Sequence, residues 1–214
     1  MKKSIILVIL LLFLQAKSET KQITIMHLND THSNLLPGMP RDSKLNGKVG
    51  GLARAITIIK NEKSLDSNAM LLLTGNYSAG DIFFNKYLGA LELSILSLEK
   101  IDAVGIQIHE FDLGPEIFQQ IAYNANQQYG INFVSSNIII PDDSYYNNLR
   151  KILKNKYVKD YDGVKIGVIQ FGSANNLITN PDPISFNKDF TNLLNNLNEQ
   201  LKNERQEMEV LKAE

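Results

Sequence analysis

The chain has 214 residues, with 22 basic and 23 acidic side chains, three histidines and no cysteine. That length supports one sizeable domain with its own core, and 43% apolar against 21% charged residues is ordinary for a soluble globular protein. A formal charge of −1 gives no sign of nucleic acid or an anionic membrane as partner. The missing cysteines exclude a disulfide framework, a thiolate metal site and a cysteine nucleophile. Metal chemistry would have to come from His27, His32, His109 and carboxylates.

Residues 1–18 read as a secretory signal. Lys2 and Lys3 are followed by an unbroken apolar run, Ile5 to Leu14, and by the small-residue triplet Ala16-Lys17-Ser18. The alternative, an uncleaved anchor, needs ~20 apolar residues to cross a bilayer. Cleavage after Ser18 is expected, leaving 19 basic and 23 acidic residues and no stable membrane anchor. The compact signal looks bacterial, so a periplasmic or extracellular location is expected.

Strand and helix patterns then alternate. Gln22 to Leu28 is apolar on both faces and reads as a buried strand, and a polar loop with Gly and Pro runs from Asn29 to Lys48. Gly50-Gly51 opens a helical pattern with Leu52, Ala55, Ile56 and Ile59 on one side. Met70 to Thr74 is a second buried run, Leu88 to Leu98 a helix, and Ala103 to Ile108 a third strand. Pro115 starts a helix that ends near Gln128, and Ile131 to Ser135 is a fourth strand. Asp162-Gly163 is a two-residue turn signal joining Tyr157–Tyr161 to Val164–Phe171 as a hairpin. From Asp189 to Glu214, Leu194, Leu197, Leu201, Met208 and Leu211 recur at helical spacing, interrupted by Glu204. This reads as a helix on a sheet, with a coiled-coil seam as the alternative. The alternation implies an α/β layered fold.

Three loops at strand ends carry the polar residues that chemistry needs. Asp30 and His32 are two residues apart and able to converge on one cation. Gly75-Asn76 follows the second strand. His109-Glu110-Phe111-Asp112 follows the third, where Asp112 can orient His109 and fix its tautomer. Each loop alone also fits a capped surface turn.

Together, in this order, the loops are similar to those of the 5′-nucleotidase family. The matching residues are Leu28-Asn29-Asp30-Thr31-His32, Gly50-Gly51-Leu52-Ala53-Arg54, Leu71-Leu72-Leu73 and Gly80. They continue with His109-Glu110-Phe111-Asp112, Gly114-Pro115-Glu116, Ser136-Asn137-Ile138 and Gly163-Val164-Lys165-Ile166-Gly167-Val168-Ile169. The resemblance covers residues 22–172. It implies an exported, calcineurin-like metallophosphoesterase fold, a four-layer sandwich of β-sheets flanked by helices, present here in incomplete form. On that basis residues 19–188 form a partial domain and 189–214 its terminal helix.

The resemblance also implies a pair of divalent metal ions, zinc or manganese or similar, acting on a nucleotide or small phosphoester. Carried over, Asp30 and His32 match ligands of the first metal. His109 matches the histidine that stabilises the phosphoryl transition state, and Asp112 the carboxylate that orients it. His27 is read as a satisfied structural histidine.

The pattern departs from the family at several places. Asn76 stands at the metal-bridging aspartate position, Ile108 replaces an asparagine ligand of the second metal, and Gln107 replaces a glycine. The family's later metal-binding histidines have no counterpart, since all three histidines lie at or before residue 109. Asp81 and Gln107 are the candidates for rescuing the site, and a partner chain could supply the missing half. Three functions therefore compete: a metal-dependent phosphomonoesterase, a catalytically impaired relative of one, and an exported binding or interaction protein.

Overall fold

The computed structural model describes residues 20–38, 49–172 and 182–213, with side chains described as far as residue 203. The expected signal sequence, residues 1–18, lies outside the described residues, as do the side chains of Glu204, Met208 and Leu211. Among the described residues no helix is long and apolar enough to cross a membrane.

The architecture is α/β. Five parallel strands form the main sheet: β1 (Ile25–Leu28), β2 (Met70–Leu73), β3 (Ala103–Gly105), β4 (Phe133–Val134) and, at the far edge, Leu153–Lys154. β5 is Ile138–Ile139, which makes Leu153–Lys154 β6, and the sheet order β1-β2-β3-β4-β6. Helices α1 (Leu52–Leu65), α2 (Ile82–Tyr87), α3 (Ala90–Leu98), α4 (Pro115–Tyr129) and α5 (Asn147–Ile152) fill the crossovers. Strands β7 (Tyr157–Tyr161) and β8 (Val164–Val168) form the expected antiparallel hairpin around Asp162-Gly163. β9 (Ser185–Phe186) pairs antiparallel with β5, and α6 spans Phe190–Ala213.

The core explains the central strands. Met70, Leu71, Val104 and Phe133 are completely buried, which is why β2, β3 and β4 read as continuous apolar runs. Leu93 and Leu96 of α3 and Phe118 and Ala122 of α4 cover them. Edge-to-face pairs link Phe111 to Phe118 at 5.0 Å and Phe118 to Phe133 at 6.4 Å, in the range where aromatic quadrupoles attract.

Several expectations need correction. β1 is not buried on both faces: Ile25 is 52% exposed, because β1 is the outermost strand of the main sheet. His27, in the strand as expected, is exposed on the same face. The helix expected from Leu88 begins only at Ala90, and a separate helix, Ile82–Tyr87, precedes it. Leu88 and Gly89 both take left-handed backbone angles, ending α2 and starting α3. Of the described stripe on α6, only Leu197 is buried, while Leu194 and Leu201 are exposed. The third strand ends at Gly105, which leaves Ile106 to Ile108 as loop.

Candidate functional site

The three polar loops meet beyond the carboxyl ends of β1, β2 and β3, the edge of a parallel sheet where ligands usually bind. The β1 and β2 loops are laced together by their main chains. The N–H groups of Asp30, His32 and Ser33 donate to the carbonyls of Gly75, Asn76 and Tyr77 at 3.4, 3.0 and 2.9 Å. Two glycines permit this approach. A Cβ on Gly75 would come within 2.7 Å of the Gln107 side chain, and one on Gly80 within 3.1 Å of the His32 carbonyl.

The β3 loop is positioned by alternation within His109-Glu110-Phe111-Asp112. Phe111 is buried against Phe118 and Phe186, and Glu110 is buried beside it. This turns His109 and Asp112 outward on the same short 3₁₀ turn. Both Asp112 oxygens lie 3.1 Å from His109 Nδ1. A carboxylate only accepts, so Nδ1 carries the proton and Nε2 is the ring atom left for a ligand.

Glu110 is the residue that sequence reading undervalued. Its carboxylate accepts the main-chain N–H groups of Asn76 (3.0 Å), Tyr77 (2.9 Å) and Gln107 (2.8 Å), tying the β2 loop to the β3 loop. Burial raises its pKa above the usual carboxylate range, and these N–H donors oppose the rise without cancelling it. Its position in a polar motif suggested a surface turn, and only Phe111 next to it hinted at burial. Asn137 of the Ser136-Asn137-Ile138 motif is a second buried stitch, bonded to Gly172 and to the Asn187 carbonyl.

The structure brings Asp30, His32, Asn76, His109 and Asp112 together. His32 Nε2 lies 3.9 Å from Asp30 Oδ1, and the His32 and His109 rings meet edge to face at 5.0 Å between centroids. Asp30 is 48% exposed and receives hydrogen bonds from Asn29 Nδ2 (2.8 Å) and Asn76 Nδ2 (2.7 Å). A cleft of about 410 Å³ opens beside Asp30, bounded by Asn29, Thr31, Asn34 and the start of α1.

Both candidates for rescue are engaged by other groups. Asp81 caps α2 by accepting the Ile82 N–H. The Gln107 amide donates to the Phe171 carbonyl at 3.1 Å. Ile108 is 9% exposed, an aliphatic group with no donor atom.

The donors present therefore do not fit a two-ion centre. Among the described residues no group of three or more His, Cys, Asp or Glu side chains has metal-holding geometry. Asp30 and His32 lie slightly farther apart than the ~3.3 Å between neighbouring donors of a tetrahedral zinc. Two dications 4 Å apart repel by on the order of 16 kcal/mol at an effective dielectric of 20. A bridging carboxylate offsets part of that repulsion, and the neutral amide of Asn76 does not.

No protein-family model matches the chain. Over 196 residues it is 29% identical to a 5′-nucleotidase of Diplobatis ommata, covering 87% of this chain and 32% of that protein. Over 109 residues it is 36% identical to a 5′-nucleotidase of Rattus norvegicus, covering 50% of this chain and 19% of the relative. The crystal structure of a 5′-nucleotidase precursor from Thermus thermophilus superposes with a TM-score of 0.71 at 25% identity, over 85% of this chain and 35% of the other. The chain thus spans about a third or less of the length of these relatives. Over most of its own length, the chain is thus similar to the amino-terminal phosphoesterase part of 5′-nucleotidases.

Proposed function

We propose that this is an exported 5′-nucleotidase-like domain that holds the phosphate of a nucleotide or small phosphoester without hydrolysing it efficiently. The carrying observation is the donor set at the loop junction. Asp30 and His32 stand together, while the neighbouring second position is occupied by the aliphatic Ile108. Export rests on the pattern of residues 1–18.

His109 is the residue with chemistry left to offer. Asp112 fixes its ring and compensates an imidazolium, so a protonated His109 can donate from Nε2 to a phosphoryl oxygen. Holding a phosphate this way lowers no barrier by itself. Hydrolysis also needs an activated water, and Asp30 already accepts hydrogen bonds from Asn29 and Asn76.

Phosphate release from AMP or an aryl phosphate with added manganese tests this reading. The wild type is expected to run barely above a protein-free control, with His109→Ala equally slow. The double change Asn76→Asp and Ile108→Asn is expected to stay slow as well. Robust wild-type turnover that His109→Ala abolishes would contradict the proposal.

A further inference from the structure

Asn76 occupies the position that the family resemblance gives to a metal-bridging carboxylate, and both ends of its amide are engaged. Nδ2 donates to Asp30 Oδ1 at 2.7 Å, and Oδ1 accepts the His109 main-chain N–H at 3.3 Å. Chemistry fixes this orientation, because a main-chain N–H only donates and a carboxylate only accepts. Turning the amide over would set donor against donor and acceptor against acceptor. The Asn76 oxygen therefore cannot face an ion shared with Asp30 without breaking both bonds.

The surrounding junction depends on such contacts. Asp30, His32, Ser33, Asn76 and Ala79 all have positive φ, between 43° and 70°. Non-glycine residues stay in that region only where their surroundings over-determine them. Asn29 holds the second Asp30 oxygen and is itself held by the Thr74 hydroxyl.

We propose that the Asn76 amide takes the place that a cation would hold beside Asp30. It supplies the partially positive partner of Asp30 and ties the β1, β2 and β3 loops together in a chain that needs no metal to assemble them. This rests on the family reading of position 76, and its test does not depend on whether the chain hydrolyses anything. What the junction requires is one carboxylate facing one amide, so the two side chains should be exchangeable. A carboxylate at position 76 alone would face Asp30 acceptor to acceptor. Adding Asp30→Asn restores the pair, with Asn29 and the His109 N–H still satisfied.

Thermal unfolding of the full chain in EDTA and in excess manganese tests this with wild type, Asn76→Asp, and the exchange Asp30→Asn/Asn76→Asp. Wild-type Tm should agree within about 1 °C between the two buffers, since a ligand stabilises only where it binds. Asn76→Asp should lower Tm in EDTA by about 3–6 °C. The exchange variant should regain most of that loss in EDTA. If Asn76→Asp fails to fold without metal, the exchange variant still decides. An exchange variant no more stable than Asn76→Asp would overturn the proposal, and so would a wild-type Tm raised several degrees by manganese.

Discussion

Glu110→Ala is expected to destabilise the chain by about 3–5 kcal/mol, a large part of the 5–15 kcal/mol typical of a domain. The carboxylate satisfies three main-chain N–H groups, those of Asn76, Tyr77 and Gln107, at a site 6% exposed. Removing it leaves each donor with a desolvation penalty of about 1–3 kcal/mol, which water entering the new cavity only partly relieves. Glu110→Gln keeps the volume and one acceptor but points an amide N–H at a main-chain donor, so its loss should be smaller. The midpoint of urea unfolding measures both. An alanine variant as stable as wild type would mean that the β2 and β3 loops are held by something other than this carboxylate.

Glu92→Met is expected to have the opposite sign. Glu92 sits on α3 with 0% exposure, and among the described residues neither carboxyl oxygen has a hydrogen-bond partner. The Ser33 hydroxyl approaches it, but it lacks hydrogen-bond geometry and is itself unpartnered. Burial is the main reason the Glu92 pKa is raised above 4.5, with Asp81 adding to the rise. A carboxyl whose pKa is raised in the folded state binds its proton more tightly there than in the unfolded chain. Its contribution to stability is therefore full below the unfolded value near 4.5 and falls as pH rises through the folded value. Methionine has similar volume and no charge to desolvate. The variant should gain about 1–3 kcal/mol at pH 7 and less at pH 4. Chemical denaturation at both pH values reads this directly, and a loss at pH 7 would show that Glu92 has a partner in solution.

The elements legible in the sequence are those whose signal is local. Pro115 marks the start of α4, Asp162-Gly163 the hairpin, and the run from Met70 a strand buried on both faces. Where tertiary position decides, the sequence misleads. Ile23, Ile25 and His27 alternate as an interior strand would, yet β1 is outermost and Ile25 faces outward. Nothing in a leucine announces a left-handed residue, so the sequence places Leu88 inside α3 rather than at the end of α2. The six polar-rich residues of α5 give no apolar stripe long enough to read.

The site divides in the same way. Asp30, His32, His109 and Asp112 were visible as motif residues at strand ends, and they do converge. Asn76 read only as a missing negative charge. Which side of its amide meets Asp30 and which meets the His109 main chain is a matter of geometry, and that geometry turns a deficit into a connection. The role of Glu110 was hidden for a related reason, since two of its main-chain partners lie 33 and 34 residues away in sequence.

Calorimetric titration of the full chain with zinc or manganese tests the central claim most directly. If Asn76 holds Asp30 where a metal ion otherwise would and Ile108 closes the second position, each chain should bind one divalent ion weakly or none. Two tight equivalents per chain would show a working two-metal centre and contradict that reading.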